Sequence, residues 1–431
     1  MRILHLSTSD TSGGAARAAY RLHSGLRRVG QDSQMLVARR ASSDPSVIGF
    51  KPFNDFVTRT RRKYRHKRIR RDFDPYLATR PAGFEPFGDD RTEHAGDLVK
   101  RMPDCDLINL HWIVGFVDYE GFAASVPTHI PLVWRLADMA PLTGGCHYDF
   151  GCGKFTAMCG ACPQLGSNDQ EDLSRQVWKR KKSAIQILKS RPGGLHIVGP
   201  SRWIAEQARR SSLTRDIASV VIPNGLDIND FAPRDKNFCR DLWGIPRDAQ
   251  VIVCAAESLD VRRKGFKELL DALPAVQGLE KPFLVSVGGL KSGFEPPIPH
   301  LNLGKINHDR LLSTAYSAAD VFVIASLQES FGQTVTESLA CGTPVVAFAS
   351  GGIVDMVRPG ETGWLAPTGD TAALGLVLRG ALDELKSGSR RAQMHETCRR
   401  IAVEEYSLET QASAYLRLYE SLIADATERA A

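Results

Sequence analysis

The feature that most constrains the fold is a strand–loop–helix unit with glycines in its loop, which opens the chain and restarts in its second half. Residues 2–7 form a short apolar strand, residues 10–14 a Gly-containing loop, and residues 15–29 a helix with apolar positions at helical spacing. A second strand at 33–38 completes a β–α–β opening, which is typical of a parallel sheet with helices on both faces. The sequence therefore predicts an α/β fold.

The second half repeats this alternation. Strands are predicted at 251–255, 283–287, 320–325 and 343–347, with helices at 265–273 and 334–340. A chain of 431 residues is too long for one hydrophobic core, and Pro223-Asn224-Gly225 is a turn-forming tripeptide between the two halves. We therefore predict domains at 1–222 and 223–406 and a terminal helix at 407–431. The cleft between two such domains is the default ligand site.

Composition places the chain among ordinary globular proteins, with 43% apolar and 24% charged residues. No apolar run is long enough to span a membrane. The first strand is followed by no signal-peptide pattern, so a cytoplasmic location is expected. The net charge of the chain is +6. Residues 58–71 hold nine Arg or Lys and no acid, so the rest of the chain carries a net charge of −3.

The basic run at 58–71 has three interpretations. It could bind anionic lipid headgroups, which attract each nearby basic side chain by about 1 kcal/mol, and would then place the protein peripherally on the inner membrane leaflet. It could bind nucleic acid, although no nucleic-acid-binding motif accompanies it and we predict no nucleic-acid partner. It could also be a solvated, partly disordered loop, and the sequence assigns residues 41–100 no definite fold.

A cysteine-rich excursion covers residues 143–165. Four of the nine cysteines lie within it, at Cys146, Cys152, Cys159 and Cys162. The C-x2-C pair can place two sulfurs on one tetrahedral ion, and the other two thiols can complete the site. The hypothesis is a structural zinc; disulfides and metal-free thiols are the alternatives.

Two glutamates eight residues apart, Glu329 and Glu337, lie on either side of a Phe331-Gly332 turn. If a helix begins near Gln333, its free backbone N–H groups and positive dipole end face the loop that carries Glu329, and a diphosphate could bind there. Glu337 could then accept hydrogen bonds from ribose hydroxyls. The same spacing also fits a surface helix with two solvated glutamates.

Several motifs in fixed order resemble the retaining family 4 glycosyltransferases of the GT-B fold. They are Gly13-Gly14 with the residues up to 17, the stretch 222–227, Arg263-Lys264-Gly265, the segment 320–348, and the segments 351–357 and 360–365. Residues 134–165 further resemble the branch of the family used in bacterial exopolysaccharide and cell-envelope synthesis. The resemblance implies two Rossmann-like domains with an interdomain cleft and a C-terminal helix that packs back on the N-terminal domain.

The resemblance also implies a function: transfer of a sugar, with retention, from a nucleotide-sugar donor to a glycan or lipid-linked acceptor, with no cofactor for catalysis. By this resemblance Glu337 binds the ribose, Glu329 contacts the transferred sugar, and Phe331 and Gly332 offer backbone N–H groups. Lys264 and Arg263 would neutralise the leaving diphosphate, which is the electrostatic work needed when no metal is bound. Gly13 and Gly14 would let the first loop approach the phosphate, although a plain tight turn would use the same residues.

Two positions depart from the family pattern. Ser258 stands where relatives usually have an Arg, and Ala137 stands where they often have a His near the reacting sugar. Asp138 or His111 could take over that positioning role, and His111 could equally be a hydrogen-bonded structural histidine. These departures leave open an alternative function, a non-catalytic sugar-nucleotide-binding or scaffold protein. An inverting transferase or a sugar-nucleotide 2-epimerase fits the two-glutamate motif less well.

Overall fold

A computed structural model describes residues 1–290 and 295–430 of the chain. The chain forms two compact units. Unit 1 comprises Met1–Ile222 and Gln411–Ala431, and unit 2 comprises Pro223–Thr410. Both units contain a parallel sheet with helices, as the two-domain α/β prediction requires.

Unit 1 is built on a parallel sheet of seven strands. The strands are β1 (Arg2–Ser9), β2 (Asp32–Arg39), β3 (Val47–Gly49), β4 (Leu107–Leu110), β5 (Leu132–Arg135), β6 (Leu195–Gly199) and β7 (Ser219–Val221). Their order across the sheet is β3-β2-β1-β4-β5-β6-β7. The central strands β4 and β5 are buried along their whole length, as expected for a sheet covered on both faces.

Within the described residues, the α-helices that lie wholly in unit 1 are α1 (Gly14–Arg28), α2 (Phe56–Phe73), α3 (Tyr119–Ser125), α4 (Leu173–Ser190) and α5 (Arg202–Arg210). Helix α1 packs on the sheet because its apolar side chains recur at helical spacing, and Ala18, Leu22 and Leu26 are fully buried. Gly30, which follows the end of α1, has φ +83°, the left-handed conformation that terminates helices at low cost.

The basic run is a helix, not the disordered loop that one interpretation proposed. Helix α2 begins after Asp55, whose carboxylate accepts a hydrogen bond from the Thr58 backbone N–H at 2.9 Å. Arg and Lys are good helix formers, but none of the helix residues is buried. A helix without a buried face has no apolar periodicity, and that periodicity is the signal by which helices are found in a sequence.

Helix α12 (Leu408–Ala430) returns the chain to unit 1. Tyr415, Tyr419 and Leu422 of this helix are buried in one cluster with Ile3 of β1 and Val133 of β5. The prediction that a C-terminal helix packs back on the N-terminal domain is confirmed.

Unit 2 is built on a second parallel sheet, with six strands in the described residues. They are β8 (Gln250–Ser258), β9 (Pro282–Gly289), β10 (His300–Asn302), β11 (Val321–Ile324), β12 (Val345–Phe348) and β13 (Gly363–Ala366), in the order β10-β9-β8-β11-β12-β13. The helices are α6 (Lys236–Trp243), α7 (Phe266–Ala272), α8 (Asp309–Ala318), α9 (Gln333–Ala340), α10 (Thr371–Glu384) and α11 (Gly388–Tyr406). Two buried clusters cover the two faces of this sheet.

Across residues 1–290 and 295–430, no helix combines the length and the apolar character that crossing a membrane requires.

Candidate active site

The strand order of unit 2 determines where a ligand can bind. Strands β8 and β11 are neighbours, but the chain leaves β8 toward β9 on one side and leaves β11 toward β12 on the other. In open parallel sheets, ligands bind in the crevice at the carboxyl ends of two strands whose connections diverge in this way. The loop after β8 carries Arg263 and Lys264, and the loop after β11 carries Glu329. The topology therefore brings these three predicted residues to one edge of the sheet.

Gly265 is what allows the two loops to meet. Its φ of +67° is left-handed, and a Cβ added there would lie 1.7 Å from the carbonyl oxygen of Ala325. Any side chain at position 265 would thus force the β8 loop away from the end of β11. The backbone of Leu327 also donates a hydrogen bond to the carbonyl of Arg263 at 2.8 Å. Close backbone packing therefore sets the position of Arg263 and Lys264.

Glu329, Lys264 and Arg263 form a buried charge cluster. A carboxylate oxygen of Glu329 lies 2.7 Å from Lys264 Nζ and 3.1 Å from a guanidinium nitrogen of Arg263. Burial by itself raises the pKa of Glu329, but the two cations outweigh it and lower the pKa to about 2. The cluster is ionised at neutral pH and carries one more positive than negative charge.

Helix α9 begins directly beside this cluster. Gly332 precedes the helix with φ +98°, no side chain caps its N-terminus, and its first turn has no acidic residue. The helix thus begins at Gln333, where the sequence predicted, and its positive dipole end faces the loop that carries Glu329. Glu337 lies on this helix, is buried, and accepts a hydrogen bond from the Tyr316 hydroxyl at 3.1 Å.

Phe331 contributes only its backbone to this edge, because its side chain is 2% exposed and packs in the core against Tyr406. Two residues that the sequence motifs did not single out also lie here. The hydroxyls of Ser326 and Ser350 are buried without a hydrogen-bond partner among the described residues, and such groups call for an explanation such as a ligand or water. Ser326 lines a cavity of about 20 Å³ with Lys264 and Gly265, which is room for one water.

Unit 1 has an equivalent ligand edge between β1 and β4, where its connections diverge. The loop after β1 is held by Asp10, whose carboxylate accepts hydrogen bonds from the backbone N–H groups of Ala41 at 3.0 Å and Ser42 at 2.8 Å. Gly13 has φ +84° and Gly14 begins helix α1, again without a side-chain cap or an acid in the first turn. The two glycines therefore lie together at a helix N-terminus, where the sequence placed them.

Asp138 lies at the same edge, just after β5. Its carboxylate accepts hydrogen bonds from the Trp112 indole at 2.9 Å and the Ala140 backbone at 2.8 Å, and it lies 2.6 Å from Nδ1 of His147. Burial raises the pKa of Asp138, but His147 and the hydrogen-bond donors outweigh it and lower the pKa. His147 is thus a candidate that the sequence reasoning missed. Its place nine residues after Asp138, beside Cys146, gave no signal that the two side chains meet.

His111 occupies a different environment. Its ring is 1% exposed, and its Nε2 lies 2.8 Å from Nδ1 of His5 on β1. Burial lowers the pKa of both imidazoles well below the ordinary value, so both are neutral at physiological pH. The contact with His5 fits a hydrogen-bonded structural histidine, the second of the two roles that the sequence left open, whereas Nδ1 of His111 is buried without a hydrogen-bond partner among the described residues.

The cysteine-rich excursion contains two short 3₁₀ turns, 154–156 and 163–165, and no longer element. Its four cysteines line one cavity. Within residues 1–290 and 295–430, however, no three His, Cys, Asp or Glu side chains are grouped as metal ligands.

Comparison with known proteins agrees with this architecture. Residues 249–383 match the model of the family described as Glycosyl transferases group 1. A D-inositol 3-phosphate glycosyltransferase of Geodermatophilus obscurus is 29% identical over 254 residues, which cover 49% of this chain and 54% of that protein. A phosphatidyl-myo-inositol mannosyltransferase of Mycobacterium leprae is 31% identical over 214 residues, which cover 47% of this chain and 54% of that protein. The chain thus spans about half the length of the curated relatives it matches.

Solved structures are similar over almost the whole chain. A sucrose-phosphate synthase from Thermosynechococcus elongatus has a TM-score of 0.66 and 19% identity, covering 98% of this chain and 100% of that one. Anabaena HepE, solved in complex with UDP and glucose, has a TM-score of 0.64 and 16% identity, covering 98% of this chain and 100% of that one. The chain therefore has the GT-B fold, and its residues 249–383, which match the group 1 glycosyltransferases, contain Arg263, Lys264, Glu329 and Glu337.

Proposed function

We propose that this protein is a retaining, metal-independent glycosyltransferase that moves a sugar from a nucleotide-sugar donor to a glycan or lipid-linked acceptor in exopolysaccharide or cell-envelope synthesis. The observation that carries the proposal is the buried cluster of Arg263, Lys264 and Glu329, in the loops that lead to the N-terminus of α9. A family match and relatives that are named glycosyltransferases support it.

The donor diphosphate would bind where positive charge is concentrated. The cluster has an excess positive charge, and the first N–H groups of α9 add the helix dipole. Lys264 is 27% exposed on its side chain, against 10% for Arg263, so Lys264 is the cation that is more accessible to a phosphate. Because negative charge grows on the diphosphate as it leaves, Lys264 would stabilise the transition state more than the bound donor.

The remaining donor contacts follow from the same edge. Glu337, held by Tyr316, would accept from the ribose hydroxyls, and Phe331 and Gly332 would offer backbone N–H groups. Glu329 would accept from hydroxyls of the transferred sugar with its carboxylate ionised. The two basic side chains would do the work that a divalent metal does in other transferases, so we propose that no metal takes part in the chemistry.

The first experiment tests donor binding and turnover together. Thermal unfolding is followed with UDP-, GDP- and ADP-sugars, because a ligand that binds only the native state raises Tm. Lys264→Met should lower donor hydrolysis about 100-fold. Lys267→Met is the matched control, because the Lys267 side chain is 75% exposed and forms an ion pair with Asp271 of the same helix. Equal activity of the two variants would reject the site.

The same preparation distinguishes the alternatives. A retaining enzyme releases a sugar whose anomeric configuration matches that of the donor, which early NMR spectra of the hydrolysis product detect; release of the opposite anomer would reject retention. Donor binding with no hydrolysis and no transfer would instead favour the non-catalytic sugar-nucleotide-binding protein that Ala137 and Ser258 suggest.

We further propose that helix α2 binds an anionic membrane surface and so brings the protein to a lipid-linked acceptor. No residue of this helix is buried, and Phe56, Val57 and Tyr64 are each more than 70% exposed. The helix has no separate apolar face, so its attraction to a membrane would be mainly electrostatic, from its nine exposed or half-exposed basic side chains. The relative named for phosphatidyl-myo-inositol acts, by its name, on a lipid.

A charge-matched comparison tests this proposal. Arg65 stays unchanged, because its guanidinium lies 2.6 Å from the carboxylate of Asp118 and so fixes the helix to the rest of unit 1. Replacing Arg61, Lys67, Arg68 and Arg71 by Gln removes about 4 kcal/mol of headgroup attraction and should abolish salt-sensitive binding to anionic vesicles. The control variant removes four exposed charges from unit 2, at Lys267, Lys281, Lys386 and Arg400. Equal vesicle binding by both variants would reject a role for α2.

A further inference from the structure

The four thiols of the cysteine-rich excursion converge on one small cavity. Cys146, Cys152, Cys159 and Cys162 all line it, and its volume of about 20 Å³ accommodates a single water-sized body. Four cysteines thus border one small cavity, although no three of them are grouped at ligand distances in the described residues. The cavity lies in unit 1 and is separate from the charge cluster at Glu329 in unit 2.

The backbone around the cavity is tightly bent. Phe150 and Ala161 have φ of +48° and +43°, conformations that cost about 1 kcal/mol or more for residues with a side chain and persist only where the surroundings enforce them. A Cβ added at Gly144 would lie 2.2 Å from the carbonyl oxygen of Ser174 and 2.7 Å from the Cβ of Cys159. The excursion is therefore packed closely on itself and on α4, although it contains no strand or long helix.

The surroundings of the cavity suit a cation bound by sulfur. The Gly144 backbone N–H donates to the Sγ of Cys159 at 3.2 Å, a contact of the kind that supports a metal-bound thiolate. Six of the eleven lining residues are buried, among them Cys159 and Cys162, whereas Cys146 and Cys152 are half-buried. Few side chains could offer oxygen ligands: those of Asp149 and Ser174 line the cavity.

We propose that Cys146, Cys152, Cys159 and Cys162 bind one Zn²⁺ as a closed, structural tetrathiolate site. Zinc fits because it takes four sulfur ligands in a tetrahedron at about 2.3 Å and has no redox chemistry of its own. Since no three potential ligands of the described chain are grouped at ligation geometry, the thiols must converge further on the cavity when the ion binds. Each bound thiolate releases its proton to solvent, so binding weakens as the pH falls.

The site has a consequence for the reaction, which rests on the proposed function. Cys146 is the neighbour of His147, and His147 lies 2.6 Å from Asp138 at the ligand edge of unit 1. The ion would fix the backbone on which His147 is carried, and so fix the Asp138–His147 pair. His147 is thus a positioning residue for the acceptor side. Donor binding, which depends on unit 2, would be independent of the ion.

Metal content is the direct test and needs no activity. Protein purified without chelators should contain about one zinc per chain by elemental analysis. The double variant Cys159→Ser with Cys162→Ser should contain none, whereas Cys105→Ser, outside the excursion, should keep its zinc. Reduced protein without metal, or a mass lower by two hydrogens for each disulfide, would overturn the proposal.

A second measurement guards against variants that fail to fold. In native wild-type protein, removing zinc with a strong chelator should make four further thiols reactive toward an alkylating reagent, and adding zinc should protect them again. Thiols that react equally with and without zinc would overturn the proposal.

The link to His147 has its own readout. Zinc removal and His147→Asn should both raise the KM for acceptor and lower transfer about tenfold or more, with donor affinity unchanged. Loss of donor affinity on zinc removal would overturn the positioning role. If the protein proves inactive throughout, the proposed function fails while the zinc content still decides the metal site.

Discussion

The ion pair between Lys264 and Glu329 should stabilise unit 2 by an amount that follows from the pKa of Glu329. The pKa of Glu329 falls from 4.5 to about 2 in the folded protein, and this difference corresponds to roughly 3 kcal/mol of stabilisation of the ionised form. Lys264 is the nearer of the two cations, at 2.7 Å against 3.1 Å for Arg263. We therefore expect Lys264→Met to destabilise unit 2 by about 2 kcal/mol at pH 7, with Arg263 retaining the rest.

A double-mutant cycle isolates this interaction. Glu329→Gln removes the charge that Lys264 neutralises, so adding Lys264→Met to it should cost little. The double variant should be more stable than the sum of the single effects by about 1–2 kcal/mol. Calorimetry of the full chain measures this, because about 2 kcal/mol shifts Tm by roughly 4–8 °C in a domain of this size.

The pH dependence gives the sign of the effect. A carboxyl group whose folded-state pKa is depressed contributes stability that is complete above its unfolded pKa. This stability is lost as the pH falls through the folded pKa. The Tm difference between wild type and Glu329→Gln should therefore be constant above about pH 5.5 and shrink between pH 4.5 and 2. Strictly additive single variants, with a Tm difference that does not change with pH, would refute the reasoning.

Three further predictions follow from the same contacts. Glu337→Ala should weaken donor binding by about 10- to 150-fold through the loss of charge-assisted hydrogen bonds, as titration calorimetry would measure; unchanged affinity would remove Glu337 from the donor site. Gly13→Ala should lower the free energy of unfolding by about 1 kcal/mol, because the φ of Gly13 is +84°. Gly380→Ala is the control: it lies on helix α10 with open space around the added Cβ, so it should leave the thermal stability unchanged or raise it. EDTA should leave donor hydrolysis in the absence of acceptor intact; a loss of hydrolysis that magnesium or manganese reverses, with the fold unchanged, would contradict metal-independent catalysis.

The regular elements of both sheets could be predicted because their patterns are strong. The strand at Leu107–Leu110 and the start of α9 at Gln333 lie where the sequence placed them. Short, wholly apolar strands between amphipathic helices leave few alternatives to a doubly wound sheet. Helix α2 was left undefined because its outward-facing charges have no periodicity.

The site could be predicted only in part from the sequence, because contacts across a parallel sheet are non-local. Lys264 and Glu329 are 65 residues apart, and the family resemblance, not their spacing, put them in one site. Strand order supplies the physical reason, since β8 and β11 are neighbours with diverging connections. The Asp138–His147 contact could not be predicted, because it depends on how an excursion without regular structure folds back on β5.

The two candidate ligand edges are alike in backbone and different in charge, and under the proposed function this difference favours different roles for them. In each unit a glycine with positive φ, Gly13 or Gly332, precedes a helix that has no acid in its first turn. Both helix ends can therefore accept a negative group. In unit 2 the helix end is accompanied by Arg263 and Lys264, whereas the edge of unit 1 has the carboxylate of Asp138 paired with His147. A leaving diphosphate needs fixed cations throughout the reaction, and an acceptor hydroxyl needs a hydrogen-bond acceptor that orients it. Under the proposed function, we therefore infer that the diphosphate binds at unit 2 and that unit 1 positions the acceptor.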